Sequence, residues 1–181
     1  MKTIENGIDK LLCDELIFWA SSYFYGKDLH PSGWPNPVKT ETNFSWHPSI
    51  VKDSRPVIIY EVNTDLEEKI KKNLFEKNLI SDVVKKISPM VYVWTPGSYI
   101  PLHTDSGLYQ DRQGFTAYLN KEWSVEYGGL FNYLSKKDNI WKTLLPHQGF
   151  LVYNDENEAH FTTPVHEGNI RFSLQIFIDK N

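Results

Sequence analysis

A histidine and an aspartate one residue apart, "HTD" at residues 103–105, begin the part of this sequence best equipped for chemistry. On an extended strand, side chains two positions apart project from the same face. His103 and Asp105 can therefore converge on one point, and a metal ion is the obvious occupant. Such a pair occurs by chance in many chains and is weak evidence alone. Downstream, "HFTTPVHEGNIR" sets His160 and Arg171 on either side of a Pro- and Gly-containing connection, so a further ligand and a cation can sit on neighbouring strands. Two imidazoles and one carboxylate form the donor set of the facial triad on non-haem Fe(II), which leaves positions open for a bidentate cosubstrate and oxygen. His166, in "PVHEG", competes with His160 for the third place. Its turn position beside Glu167 favours solvent exposure, and His160 is the preferred ligand. His147, in "LLPHQG", reads as a turn residue. His30 and His47 flank a tryptophan-bearing loop, where surface placement is the plain reading.

These residues must be positioned by strands. From residue 90 onward, short β-rich runs follow one another: "MVYVW", "YIPLHTD", "FTAYLN", "GGLFNYL", "IWKTLL", "GFLVYN", "HFTTPV" and "IRFSLQIFI". Separated by Gly, Pro and Asn turns, they suggest a sandwich or barrel. In the last run Ile170, Phe172, Leu174, Ile176 and Ile178 form one apolar face, and Arg171, Ser173 and Gln175 the other. The apolar face is expected to pack on N-terminal helices. The polar face looks either into a cavity or out to water, and the pattern alone does not choose.

Ahead of the strands, residues 7–24 carry Ile8, Leu11, Leu12, Leu16, Phe18 and Trp19 at helical spacing. Residues 64–79 open with "TDLEEKI", a Thr cap followed by acids, which marks a second helix. Between them lies "HPSGWPNPVKTETNFSWHPS", rich in Pro, Gly, Asn and Ser and read as a long irregular loop. Its Trp34 and Trp46 either line a substrate groove or cap the core. A second candidate lid, residues 106–114 with Tyr109 and Arg112, directly follows the ligand strand.

The chain of 181 residues, without repeats, reads as a single domain in which residues 1–89 supply helical support and substrate loops and 90–178 the strand-rich core. A net charge of −4 gives little electrostatic support for extended binding to nucleic acid or anionic membrane. Cys13 is the one cysteine, which excludes an intramolecular disulfide, fits a reducing compartment and suggests a buried thiol. No apolar run approaches the roughly 20 residues of a membrane span, and "MKTIENGIDKLL" lacks a signal-peptide layout; a cytoplasmic protein is expected.

With "HTD", then "PHQGFLVYNDENEAH", then "PVHEGNIR", the sequence resembles the 2-oxoglutarate and Fe(II)-dependent oxygenases, within them the prolyl-4-hydroxylase-like group. The resemblance covers about residues 90–178 and includes "YLNKEW" followed by "GGLFNYL". It implies a mainly β fold with flanking helices, a double-stranded β-helix or jelly roll with iron at its open end. It further implies His103, Asp105 and His160 as Fe(II) ligands, Arg171 paired with the distal carboxylate of 2-oxoglutarate, and Tyr118 donating a hydrogen bond to it. The tyrosine that some relatives carry just before "PG" is Thr95 here, so Thr95 or Tyr99 is the candidate contact on that side; Ser173, on the Arg171 face, is a further one. Arginine suits a distal carboxylate because its planar fork binds two oxygens at once.

The implied reaction couples conversion of 2-oxoglutarate to succinate with hydroxylation of an unactivated carbon by O2, with ascorbate as a candidate auxiliary reductant. Asp105 fills the place that halide-transferring relatives leave open, so hydroxylation is expected over halogenation. A prolyl residue of a peptide or protein is the leading substrate, followed by a free amino acid or other small metabolite. Tyr109, Arg112, Trp34 and Trp46 are the candidate substrate contacts. A cupin-like metal protein with other chemistry and a metal-free binding module are the competing classes; the first needs no anchor at Arg171 and the second no triad. Nucleic-acid demethylases resembling this superfamily add a second arginine shortly after the first, and "RFSLQIFI" has none.

Overall fold

The computed structural model describes residues 1–25, 57–81, 84, 86–104, 112–153 and 158–179. In chain order these form β1 (Lys2–Ile4), α1 (Lys10–Tyr25), β2 (Ile58–Glu61), α2 (Thr64–Glu76), β3 (Ile87–Trp94), β4 (Ile100–His103), β5 (Arg112–Tyr118), β6 (Phe131–Ser135), β7 (Ile140–Leu144), β8 (Leu151–Tyr153), β9 (His160–Thr162) and β10 (Arg171–Asp179). The strands make two antiparallel sheets, a major one in the order β1-β8-β5-β10-β3-β2 and a minor one in the order β4-β9-β6-β7. This is the expected architecture, mainly β with flanking helices.

β10 is central to the major sheet, and its two faces part company as its sequence pattern requires. Phe172, Leu174, Ile176 and Ile178 are buried in the main core with Leu12, Leu16 and Ala20 of α1 and Leu66, Ile70 and Leu74 of α2. The opposite face lies under the minor sheet: Tyr118 and Val152 of the major sheet cluster with Phe131 and Tyr133 of β6. Arg171 therefore points into the sandwich. It is 1% exposed, which excludes the solvent reading.

Four details differ from the sequence expectations. The cap of α2 is Asn63 rather than Thr64: its extended backbone leaves the side chain free to accept from Leu66 N at 3.0 Å, one residue earlier than the acidic first turn suggested. The N-terminal half supplies strands β1 and β2 as well as helices, and these form the two edges of the major sheet. Leu11 and Phe18 share the helical spacing of the α1 core residues yet are exposed. The stretch 106–114, read as one loop, ends in β5, whose residues 112–114 pair with Asp179, Ile178 and Phe177. The long loop at 28–47 lies outside the described residues.

Cys13 is buried, as expected, and burial pushes its thiol up to about 12, so it stays protonated and inert. No helix among the described residues is long and apolar enough to cross a membrane.

Candidate metal and carboxylate site

The minor sheet brings the two preferred histidines together. β4 pairs antiparallel with β9 so that His103 is the register partner of His160, and their ring centroids lie 4.2 Å apart. The two rings are held alike: His103 Nδ1 is 2.8 Å from Pro101 O, and His160 Nδ1 is 2.9 Å from Glu158 O. A carbonyl only accepts, so Nδ1 carries the proton in each ring and Nε2 bears the lone pair in the neutral form. Fixing one ring nitrogen to a backbone carbonyl is how metal-ligating histidines are oriented. Phe131 packs beside His160 at 5.3 Å between ring centroids.

Asp105, two residues beyond His103, lies outside the described residues, as do Tyr109, Trp34, Trp46, His30 and His47. Among the described residues no three His, Cys, Asp or Glu side chains gather as a metal site. The donor types suit Fe(II), and two of the three expected ligands stand side by side. His166 is exposed, with Nδ1 2.6 Å from Glu126 O in the turn after β9. His147 is also exposed, just before the turn that leads to β8.

A second feature of the sandwich interior is a buried cation. Trp94 of β3 and Tyr118 of β5 flank β10 on its two sides, and the Arg171 guanidinium carbon lies 4.7 Å from the Trp94 ring and 5.1 Å from the Tyr118 ring. Among the described residues, Arg171 Nε and Nη1 and the Tyr118 hydroxyl have no hydrogen-bond partner. Burial lowers the Arg171 pKa to about 10, an effect that Tyr118 opposes, so the side chain is still charged at neutral pH. Burial raises that of Tyr118 to about 12, against the pull of Arg171, so its phenol keeps its proton and can donate. A buried charge with unsatisfied N–H groups is unfavourable unless a ligand completes it. The same fork geometry matches a carboxylate.

Local structure fixes this anchor. Asn120, just after β5, brackets residue 171: its Nδ2 donates to Ile170 O at 3.1 Å and its Oδ1 accepts from Phe172 N at 2.7 Å. Gly129, at φ 61°, makes room for the arginine stem, because a Cβ there would sit 3.1 Å from both Arg171 Cδ and Val165 Cγ2. The Ser173 hydroxyl accepts from Trp94 Nε1 at 2.9 Å. Thr95 is tied into the turn before β4: its backbone N–H donates to Ser98 Oγ at 3.1 Å and its hydroxyl lies 3.3 Å from the same atom. Tyr99 is half-buried directly before β4. Arg112 opens β5.

Trp94, Asn120 and Gly129 are absent from the residues singled out by sequence. "MVYVW" carried a usable signal, since alternation sets Tyr92 and Trp94 opposite Val91 and Val93. The two valines enter the helix-facing core, and the two aromatics enter the cluster with Trp123 and Val165.

The two antiparallel sheets form a double-stranded β-helix, or jelly roll, with the paired histidines in the minor sheet and the buried arginine in the major one. Solved structures agree on the fold. A prolyl-4-hydroxylase from Pseudomonas putida aligns with a TM-score of 0.62 at 14% identity, over 99% of this chain and 92% of that one. A prolyl hydroxylase from Trichoplax adhaerens, in complex with a hypoxia inducible factor oxygen degradation domain peptide fragment, aligns with a TM-score of 0.68 at 16% identity, over 99% and 83%. HygX from Streptomyces hygroscopicus, with nickel and 2-oxoglutarate bound, aligns with a TM-score of 0.59 at 12% identity, over 99% and 82%. No protein-family model matches the sequence, and no curated protein matches it. At such identities the likeness establishes the fold.

Proposed function

We propose that this chain is an Fe(II)- and 2-oxoglutarate-dependent dioxygenase that hydroxylates an aliphatic carbon, with a prolyl residue of a peptide or protein as the leading substrate. The observation that carries this reading is Arg171, a charged side chain 1% exposed whose Nε and Nη1 are unpartnered among the described residues. A dicarboxylate whose far end reaches Arg171 supplies the missing counter-charge.

His103, Asp105 and His160 would hold Fe(II), which when bound supplies a chelation site for the keto-acid end of the cosubstrate and a place to activate O2. The residues of the chain do the rest. Pro101 O and Glu158 O hold the two rings by Nδ1, which in the neutral imidazole leaves Nε2 as the free donor atom. Arg171 grips the distal carboxylate through its fork, and Tyr118, still protonated, donates to it. The buried rings of Tyr118 and Trp94 lie against the guanidinium and shield the ion pair from water. Thr95, Tyr99 and Ser173 stand as further cosubstrate contacts.

The prolyl reading draws support from the likeness to a bacterial prolyl-4-hydroxylase and to a prolyl hydroxylase in complex with a peptide. Tyr109, Arg112, Trp34 and Trp46 are assigned to substrate, and residues 1–181 to one oxygenase domain. The test is a succinate-release screen with Fe(II), ascorbate and 2-oxoglutarate against proline peptides and free amino acids. Succinate and hydroxylated peptide in equal amount are expected. Turnover confined to a free amino acid would move the substrate assignment, and no succinate above the Arg171→Met background on any substrate would count against the activity.

A further inference from the structure

We infer that Trp94 is a positioning residue for the Arg171 guanidinium, holding it by its face so that its in-plane N–H groups stay available to a carboxylate. The inference rests on the reading that Arg171 receives the distal carboxylate of the cosubstrate, and deepens it. β3 pairs with β10 so that Trp94 lies directly across from Arg171, and the indole ring is 4.7 Å from the guanidinium carbon. The indole is itself fixed: it is 1% exposed, and its Nε1–H donates 2.9 Å to Ser173 Oγ on the same strand as the arginine. Tyr118 contributes a second ring from the strand on the other side.

The choice of an aromatic orienter has a physical consequence. An acidic or amide side chain that aimed the guanidinium would do so by accepting its N–H groups, and would then compete with the ligand for them. A π face attracts the cation through the ring quadrupole and occupies only the faces of the fork. Among the described residues Arg171 Nε and Nη1 are indeed unpartnered while the guanidinium carbon lies over both rings. Asn120 completes the arrangement by fixing the backbone on both sides of residue 171, which leaves the side-chain torsions to be set by the rings.

The test uses calorimetry on Mn(II)-loaded protein with two probes, 2-oxoglutarate and 2-oxobutyrate; the second keeps the chelating keto-acid end but lacks the distal carboxylate. Trp94→Met, which fills space without a π face, should weaken 2-oxoglutarate about tenfold to thirtyfold while changing 2-oxobutyrate and Mn(II) less than about twofold. Trp94→Phe, which retains a ring face but not the Nε1–H, should remain within about threefold of wild type. In an Arg171→Met background the same Trp94→Met change should alter 2-oxoglutarate affinity by less than about twofold, because the group it positions is gone. Equal losses for both probes, an unchanged 2-oxoglutarate affinity, or a Trp94→Phe variant as weak as an aromatic deletion would each overturn the inference. If Trp94→Met does not fold, the Trp94→Phe measurement against the two probes decides: a loss beyond about threefold overturns it. Retained 2-oxoglutarate affinity in Arg171→Met alone would instead overturn the underlying assignment of Arg171.

Discussion

Replacing Arg171 with methionine should make the ligand-free protein more stable while weakening its response to 2-oxoglutarate. Burial lowers the arginine pKa well below its ordinary value, to about 10. At about 1.4 kcal/mol per pH unit, the charged form is disfavoured in the folded state by about 3 kcal/mol. The sign follows from linkage: a base with a depressed folded pKa is charged in both states at neutral pH, so the whole penalty is present there, and it is relieved only as pH rises through about 10. Stacking on Trp94 and Tyr118 offsets about 1–2 kcal/mol of it. A methionine of similar reach keeps the apolar packing without the charge. The expected gain is about 1–2 kcal/mol, or about 3–6 °C in melting temperature for a chain of this size. Urea unfolding of metal-free protein at pH 7.5 reads the first quantity. Repeating it with Mn(II) and 2-oxoglutarate reads the second, where ligand at about 100 times its Kd should stabilise wild type by about 2.7 kcal/mol. A variant destabilised by more than about 1 kcal/mol, or one stabilised by the ligand as much as wild type, would refute the reasoning; a tenfold loss of affinity leaves about 1.4 kcal/mol or less.

Further outcomes follow from the same geometry. His103→Ala and His160→Ala should each abolish Fe(II) binding in an anaerobic titration, whereas His166→Ala, altering an exposed turn residue, should leave it nearly intact; iron lost in His166→Ala alone would displace His160 as ligand. Because Arg171 is charged below about 10 and Tyr118 neutral below about 12, 2-oxoglutarate affinity should be flat between about pH 7.5 and 9, and a steep fall in that window by calorimetry would contradict both roles. Gly129→Ala meets Arg171 and Val165 at 3.1 Å in a left-handed backbone, so a loss of about 1–3 kcal/mol in urea unfolding is expected together with weaker cosubstrate binding; unchanged affinity would show that the arginine stem has room to spare. With Asp105 present, a true substrate should gain one oxygen atom from labelled O2 even in abundant chloride, and a chlorinated product in the mass spectrum would overturn the hydroxylase assignment.

The strand-rich half was readable because its signals are local. From "MVYVW" to "IRFSLQIFI", two-residue alternation and turn residues mark each strand, and the runs coincide closely with β3 to β10. β1 and β2 escaped notice because they stand singly beside helical segments, without the succession of turn-bounded runs that marked the equally short β4, β8 and β9; they are held as edge strands by pairing with β8 and β3. His103 and His160 could be proposed from residue type, but their adjacency depends on β4 pairing with β9 across more than fifty residues. The ambiguity of Arg171 was of the same origin. Alternation separated it from Phe172, yet only the minor sheet, packing through Phe131 and Tyr133, turns that face into an interior. Trp94 and Asn120 went unread for the same reason, since each acts on β10 from another strand or the loop beyond it.

The most direct test of the central claim is calorimetric titration of 2-oxoglutarate into three samples: Mn(II)-loaded wild type, metal-free wild type, and Mn(II)-loaded Arg171→Met. The account predicts saturable one-to-one binding in the first, and binding weakened at least about tenfold in the second and third, because the ligand is held at both ends. Binding of equal strength in all three samples, or none in the first, would contradict it.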